Sequence, residues 1–401
     1  MILRAYKYRI YPSDDQKVLL NKTFGCCRVV WNKDVEIFNS FDRKLCPKPE
    51  YTTTTEIKKA NEWMNEVSAA ALQQAHRNFI EYTRNFFNKN RKKKIGRCKF
   101  KSRKARQSYR LPNQKFKLGM NTIRLEKIGN VKIIMDRRPD KKCTFKSVTV
   151  SKETTGKFFA SVLVEEKIKK LPKTGEVIGV DLGLKNIIIT SSGEEIANPK
   201  WFRENQAKLK KAQRSLSRKK KGSVRRNKMR KKVATIHAKI SNQRKWFHHQ
   251  ISIDLVKNYD VIGFEDLNIS GMLRNHNLAK AISDTGWGQL VDMISYKAAW
   301  YGKETQQVGR FFPSSKTCSH CGFVNKSLTL ADREWTCKSC GAILNRDINA
   351  AQNIINEAMR LRHRELPMPN ERRDDVRLPE MEAIAGEAFE KHKSAIIYEL
   401  L

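Results

Sequence analysis

Residues 3–11 alternate apolar and basic side chains, a period of two that predicts a strand with one buried face. Pro12 ends this pattern, and Ser13 with Gln16 forms the capping box that begins a helix. Apolar residues then recur at helical spacing up to about residue 90, with an expected break at Gly25. This pattern predicts a helical bundle over residues 12–104, and the last part of this range is a basic connector.

The period of two returns between residues 107 and 168, where turn residues separate five strand-like runs. These runs are 115–118, 122–125, 131–134, 145–150 and 158–164. Several short strands at even spacing favour a small antiparallel barrel, which the first strand of the chain would complete. The barrel would then span 1–11 and 105–170, with the helical bundle inserted into it.

Beyond residue 175 the pattern changes to one of mixed strands and helices. Apolar runs predict a hairpin at 176–181 and 185–190 and a further strand at 259–264. We also expect a strand at 304–308 and helices at 286–300 and 349–359. Residues 201–250 hold 18 Lys or Arg and one acidic residue, with apolar positions at helical spacing, so they predict long basic helices.

The composition of the chain is strongly basic. The 401 residues include 81 Lys plus Arg against 41 Asp plus Glu, a formal net charge of +40. Such an excess favours a polyanionic partner, whether DNA, RNA or an acidic membrane surface. The sequence has no apolar run of about 18 residues and no signal-peptide pattern, so we expect no membrane partner and a cytoplasmic location.

Two Cys-x-x-Cys pairs lie 15 residues apart, a spacing typical of a tetrahedral four-cysteine zinc site. The predicted ligands are Cys318, Cys321, Cys337 and Cys340. Gly322 and Gly341, one after each pair, suit the tight bend that such a knuckle needs. The other five cysteines have no framework spacing, so we interpret them as free thiols, mostly in the core: Cys26, Cys27, Cys46, Cys98 and Cys143.

Three acidic residues stand at the ends of predicted elements. Asp181 and Glu265 follow apolar strands, and Asp347 lies in the expected first turn of a helix. Each alone is equally well explained as a turn residue, a salt-bridge partner or a helix-dipole residue. If the three converge, however, they require cations, and carboxylate oxygens suit Mg²⁺ or Mn²⁺. Two such ions can support phosphodiester hydrolysis.

Five motifs, in this order along the chain, resemble the TnpB family, the transposon-encoded relatives of type V CRISPR effectors. They are YRIYP at 8–12, GVDLG at 179–183, GFEDL at 263–267, FPSSKTC at 312–318 with the two cysteine pairs, and NRDINAAQN at 345–353. The resemblance extends from residue 1 to about 360.

This resemblance implies a multidomain α+β protein. The parts would be an RNase H-like (RuvC) nuclease core at 175–310 and 342–362, a zinc-bearing target-strand-binding insert at 311–341, a wedge barrel and an inserted recognition bundle. The core would use Asp181, Glu265 and Asp347 as metal ligands. Residues 363–401 match nothing in the family, and we expect a disordered tail there.

The function implied by the resemblance is that of an RNA-guided DNA endonuclease of a transposable element. Its partners would be a guide RNA encoded near the transposon end and double-stranded target DNA flanked by a short adjacent motif. The expected location is the prokaryotic cytoplasm, near the nucleoid, and both a monomer and a dimer remain open. Two alternatives are a nuclease-inactive RNA-guided DNA-binding repressor and an RNA-independent RNase H-like transposase.

The resemblance also suggests nucleic-acid contacts. Residues expected to grip the heteroduplex backbone are Lys219, Lys220, Lys221, Arg225 and Arg226. Residues expected to read the target-adjacent motif are Gln73, Gln74, Arg77 and Asn78, on a helix whose polar face is otherwise simply solvated. Arg346 would contact the scissile phosphate or form a salt bridge.

Overall fold

The computed structural model describes residues 1–41, 51–88, 90, 95–329 and 331–365. Over these ranges the chain folds into two compact units, each with its own hydrophobic core. We call Met1–Lys167 the N-terminal unit and the described residues from Ile168 to Glu365 the C-terminal unit. No helix in the described ranges combines the length and the apolar composition needed to cross a membrane.

The N-terminal unit contains a seven-stranded antiparallel sheet. Its strands are β1 (Ile2–Tyr11), β2 (Gln107–Pro112), β3 (Phe116–Leu118), β4 (Thr122–Leu125), β5 (Gly129–Ile134), β6 (Thr144–Lys152) and β7 (Phe158–Glu166). Their order is β2-β6-β7-β1-β5-β4-β3, so the first strand lies inside the sheet, as predicted. A single 3-10 turn, Asn113–Lys115, connects the edge strands β2 and β3, and the sheet is nearly closed.

Strand β2 was not among the predicted runs, although residues 107–112 lie within the predicted barrel. Only Tyr109 and Leu111 of this strand are buried, and Pro112 has no backbone N–H to donate. Such a strand is stable at a sheet edge, where β2 lies, but its pattern in the sequence is weak.

The helices of the N-terminal unit are α1 (Asp14–Ser40), α2 (Thr54–Lys59) and α3 (Ala69–Phe87). Helix α1 begins at the predicted capping box, in which the Ser13 and Gln16 side chains bond to each other's backbone N–H. The predicted break at Gly25 is wrong, since α1 continues through it. A glycine inside a helix costs only about 1 kcal/mol relative to alanine, and the buried face carrying Phe24, Cys27 and Val30 outweighs this.

The C-terminal unit contains a five-stranded mixed sheet. Its strands are β8 (Val177–Asp181), β9 (Asn186–Thr190), β10 (Glu195–Ala197), β11 (Val261–Glu265) and β12 (Glu304–Val308), in the order β10-β9-β8-β11-β12. Strands β8, β9 and β10 pair antiparallel, whereas β11 runs parallel to both β8 and β12. The RNase H-like identity of this core stays a prediction.

The helices of this unit are α4 (Trp201–Ser217), α5 (Val224–Asn258), α6 (Ile269–Met272), α7 (His276–Thr285), α8 (Trp287–Tyr301) and α9 (Arg346–Glu365). The predicted long basic helices are α4 and α5. A two-stranded hairpin, β13 (Glu334–Thr336) and β14 (Ile343–Asn345), precedes α9. Helix α9 packs on β8, β11 and β12.

Helix α9 also extends into the segment predicted to be a disordered tail. It continues to Glu365, so residues 363–365 are helical and the expected start of the tail at 363 is wrong. Ion pairs of Arg360 with Glu357 and of Arg362 with Glu304 support this last turn. The rest of the predicted tail, 366–401, lies outside the described residues, as does Cys46.

Candidate active site and zinc centre

Asp181 and Glu265 lie at the same end of the five-stranded sheet of the C-terminal unit. Strands β8 and β11 are parallel neighbours, with Gly179 paired to Gly263 and Val180 to Phe264. Asp181 and Glu265 are the next residues, each the last of its strand. Because parallel strands end together, the two side chains emerge side by side.

Two glycines allow helix α9 to approach these strands closely. A Cβ placed on Gly179 would lie 1.9 Å from the backbone oxygen of Ala351, which no packed structure can accommodate. A Cβ on Gly263 would lie 3.0 Å from the Cβ of Ala358. Both alanines are fully buried on the inner face of α9. Asp347 precedes Ala351 by four residues, so it projects from the same helix face, toward the strand ends.

The start of α9 is fixed by Asn345. Its Oδ1 accepts hydrogen bonds from the backbone N–H groups of Asp347, at 3.1 Å, and Ile348, at 3.2 Å. This is the standard helix N-cap, and it places Asp347 in the first turn, where the helix dipole favours a negative charge.

Electrostatics link Asp181 to the other two predicted site carboxylates. Burial first, and then the negative charges of Glu265 and Asp347, together raise the pKa of Asp181 to about 7. Arg346 opposes this shift. The convergence of the three side chains on a shared metal stays a prediction, and a bound cation would relieve the repulsion among their charges. A cluster of carboxylate oxygens is a donor set that suits Mg²⁺ or Mn²⁺.

Positively charged and hydroxyl side chains hold two of these carboxylates. Arg346 donates to Oδ1 of Asp347 from Nη2 at 2.9 Å and from Nε at 3.1 Å, while Arg333 donates to Oδ2 at 3.0 Å. The Ser314 hydroxyl donates to Oε1 of Glu265. Of the two roles suggested for Arg346, the structure thus shows the salt bridge, and the phosphate contact stays a prediction.

Two amides of α9 connect this site to the first cysteine pair. The side-chain N–H groups of Asn349 and Asn353 donate to the backbone oxygen of Thr317 at 2.7 and 2.6 Å. Asn353 also donates to the Ser314 oxygen at 2.8 Å, and Ser319 N–H donates to Asn349 Oδ1 at 2.8 Å. Both amides are buried. The loop that carries Ser314 and Cys318 is therefore fixed to the helix that carries Asp347.

The four predicted zinc ligands come together. Their sulfur atoms all lie within 4.8 Å of one another, with Cys318 to Cys340 at 3.7 Å and Cys321 to Cys337 at 3.6 Å. Zinc–sulfur bonds of about 2.3 Å in a tetrahedron place sulfurs roughly 3.8 Å apart, so the cluster fits a zinc ion.

The two knuckles have the same backbone geometry. Gly322 and Gly341 adopt φ of 77° and 73°, and each donates to the carbonyl of the first cysteine of its pair at 2.9 Å. These are the bends predicted from the glycines. Leu328, Trp335 and Leu344 pack around the sulfurs as a small core.

The predicted backbone-gripping residues lie between α4 and α5 and at the start of α5, and they divide into two groups. Lys220, Lys221 and Arg225 are exposed, while Lys219 is half-buried. Arg226 has a structural role, since its guanidinium donates to the carbonyls of Leu216 at 2.9 Å and Lys219 at 2.8 Å. These bonds close the turn between the two helices, whereas Lys220, Lys221 and Arg225 face solvent.

The predicted motif-reading residues lie in the N-terminal unit, on α3. Gln73, Arg77 and Asn78 are exposed, and Gln74 is half-buried and donates to Asn78 at 2.8 Å. The opposite face of α3 carries Leu72 and Phe79 in the core. These four residues are therefore available to a ligand, and their contact with DNA stays a prediction.

Several residues that shape the site were not singled out from the sequence. Gly179 and Gly263 each stand two residues before a site carboxylate, and this repeated spacing could have indicated their role. Asn349 and Asn353 are one helical turn apart, which could have suggested a shared partner. Arg333 gives no such signal, because only the folded hairpin brings it to Asp347.

The sequence matches three family models. Residues 159–276 match one described as "Probable transposase", 287–354 match "Cas12f1-like, TNB domain", and 1–37 match "Helix-turn-helix domain". The last description differs from the structure, in which residues 1–37 form β1 and most of the single helix α1.

Similar proteins include the "Putative RNA-guided DNA endonuclease" of Streptomyces pristinaespiralis, 41% identical over 88% of this chain and 89% of the relative. The "Putative RNA-guided DNA endonuclease InsQ" of Escherichia coli is 28% identical over 88% of this chain and 92% of the relative. A cryo-EM structure of a Cas12f1-sgRNA-target DNA complex covers 89% of this chain and 99% of that chain, at 15% identity. The TM-score of this comparison is 0.36.

Proposed function

The chain belongs to the TnpB family, and from this premise we propose that it is an RNA-guided DNA endonuclease of a transposable element. One observation carries the nuclease assignment. Asp181 and Glu265 end two neighbouring parallel strands, and Asp347 lies in the first turn of helix α9, which packs on both strands. A nuclease-inactive repressor would not require carboxylates at all three of these positions.

In this proposal, Asp181, Glu265 and Asp347 hold Mg²⁺ or Mn²⁺ in a RuvC-like site. Bound divalent cations would activate a water and stabilise the leaving 3′ oxygen of the DNA strand. The chain's own residues position the site: Ser314 orients Glu265, Asn345 fixes the first turn of α9, and the salt bridge of Arg346 keeps a positive charge beside Asp347. That charge is suitably placed for the scissile phosphate.

The remaining parts have proposed roles in nucleic-acid binding. The N-terminal unit would act as wedge barrel with recognition bundle, and Gln73, Arg77 and Asn78 would read the target-adjacent motif. The four-cysteine module would hold structural zinc and bind the target strand. Lys220, Lys221 and Arg225 would contact the guide–target backbone, since exposed cations gain affinity by releasing phosphate counterions. The site of action would be the prokaryotic cytoplasm.

The family model that matches residues 159–276 is described as "Probable transposase". A second candidate function is therefore that of a transposase that acts without RNA. The two functions differ in their response to ribonuclease. Treatment of the purified protein with ribonuclease before DNA is added should abolish cleavage by a guided enzyme. Cleavage that survives the treatment would favour the transposase.

The proposed function is tested by incubating the RNA-bound protein with a plasmid that carries the matching target, in the presence of Mg²⁺. We expect the wild type to cut, and Asp181→Ala to bind RNA and DNA normally but not to cut. Asp136→Ala, which removes an exposed acid of the N-terminal unit, should cut like the wild type. Loss of binding in Asp181→Ala alongside loss of cleavage would contradict the metal-ligand role.

A further inference from the structure

Phe311 is the most exposed large apolar side chain among the described residues, with 92% of its surface accessible. It lies in the short loop between the end of β12 at Val308 and Ser314. Its neighbour Phe312 points the other way and packs with Val308, Ile354 and Ala358. The loop is therefore anchored by one aromatic ring and presents the next ring to solvent.

Both ends of this loop are bonded to the strand end that carries Glu265. Arg310 donates to Oδ2 of Asp266 at 2.8 Å, and the Asp266 N–H donates to the Val308 oxygen at 3.0 Å. On the other side, the Ser314 hydroxyl donates to Glu265 itself. The exposed ring thus lies in a loop whose two ends touch Glu265 and the residue after it.

The loop is also fixed to the helix that carries Asp347. Asn353 donates to the Ser314 oxygen at 2.8 Å, and the Ser314 N–H donates to the Phe312 oxygen at 2.9 Å. A ring presented from a fixed loop loses little conformational entropy when it binds a flat partner. Phe311 has no packing role that would account for an exposed aromatic at this position.

We infer that Phe311 stacks on a base of the DNA strand that is being cut and so positions its phosphate relative to Glu265. This inference rests on the proposed nuclease function. Unpaired bases stack readily on exposed aromatic rings, and such contacts tolerate any sequence because every base has a flat face. Phe311 is accordingly a positioning residue and takes no part in the chemical step.

The inference is tested with three variants, Phe311→Ala, Phe311→Leu and Phe311→Tyr, in the RNA-bound protein. The measurements are the affinity for target DNA and the single-turnover cleavage rate at saturating DNA. Backbone contacts and base pairing dominate binding, so we expect the affinity of Phe311→Ala to change less than about 3-fold. Its cleavage rate should fall about 10- to 100-fold.

Tyr retains a flat ring, whereas Leu retains only apolar surface. We therefore expect Phe311→Tyr to cut within about 3-fold of the wild type and Phe311→Leu to resemble Phe311→Ala. Met120→Ala, which truncates another exposed apolar side chain, in the N-terminal unit, is the control and should cut normally.

Two results would overturn the inference while leaving the nuclease assignment intact. One is wild-type cleavage by Phe311→Ala, and the other is equal rescue by Leu and Tyr, which would indicate an apolar contact without stacking. Failure of the wild type itself to cut guided DNA would instead contradict the proposed function.

Discussion

Gly179 is the residue at which the smallest chemical change should disturb the site most. The Gly179→Ala substitution would place a methyl group 1.9 Å from the Ala351 oxygen, so helix α9 must move away from β8. We expect a loss of about 1–3 kcal/mol in the stability of the C-terminal unit. Cleavage should fall about 100-fold, because Asp347 moves with the helix. Denaturant unfolding and single-turnover cleavage measure the two effects.

Gly25 provides the matched control for this substitution. The nearest atom to a Cβ built on Gly25 is a guanidinium nitrogen of Arg28 at 3.9 Å, so a methyl group fits. Alanine is the better helix former, so Gly25→Ala should stabilise the N-terminal unit by about 0.5–1 kcal/mol. Cleavage should be unchanged. Destabilisation by Gly25→Ala would contradict the space found beside Gly25. Unchanged stability and cleavage in Gly179→Ala would contradict the close packing of α9 on β8.

At the scale of elements, the β13–β14 hairpin, which belongs to the four-cysteine module, and helix α9 both contribute contacts to Asp347. Arg333 lies just before β13 and contacts Asp347 with its guanidinium, while its carbonyl accepts the Arg346 N–H at 2.8 Å. The loop before Cys318 is bonded to Asn349 and Asn353 of α9. Loss of zinc should therefore disturb the nuclease site as well as the zinc module.

The Cys321→Ser variant should test this coupling. We expect it to lose zinc, measured by elemental analysis, and to cut at least about 10-fold more slowly even with excess Mg²⁺, because structural zinc contributes on the order of 10 kcal/mol to such modules. Cys143→Ser is the control, since Cys143 is a thiol of the N-terminal unit outside the cluster. Normal cleavage by a zinc-free protein would show that the module acts independently of the site.

Some of these elements could be predicted from the sequence, and others could not. Apolar runs correctly located β8 and β11, and with them two carboxylates, because buried parallel strands leave a clear pattern. The cysteine spacing likewise located the zinc ligands. The pattern could not show that α1 continues through Gly25 or that Arg226 closes the α4–α5 turn. Those features depend on tertiary contacts, namely a shared buried face and carbonyls that only the folded turn exposes.

At the scale of the whole molecule, the net charge of +40 predicts binding that depends strongly on salt. The triple variant Lys220→Ala, Lys221→Ala and Arg225→Ala removes three exposed cations near the start of α5. We expect the slope of log affinity against log salt to become shallower by about 2–3, with no change in sequence preference. Titrations of guide–target duplex at several salt concentrations measure this slope.

Arg226→Ala provides the contrast, because its guanidinium serves the turn between α4 and α5. We expect this variant to lower the thermal stability of the C-terminal unit while changing the salt slope by less than about 1. Equal loss of salt dependence in both variants would contradict the division of these residues into contacting and structural groups.

The central claim is that an RNA directs this chain to the DNA it cuts, and exchange of the guide tests it most directly. The guide segment of the bound RNA is replaced by an unrelated sequence, and the ends of the cut DNA are sequenced. The account predicts that the cuts move to the new matching site and disappear in Asp181→Ala. Cuts that stay at the original site, or that occur at transposon ends regardless of the guide, would contradict it.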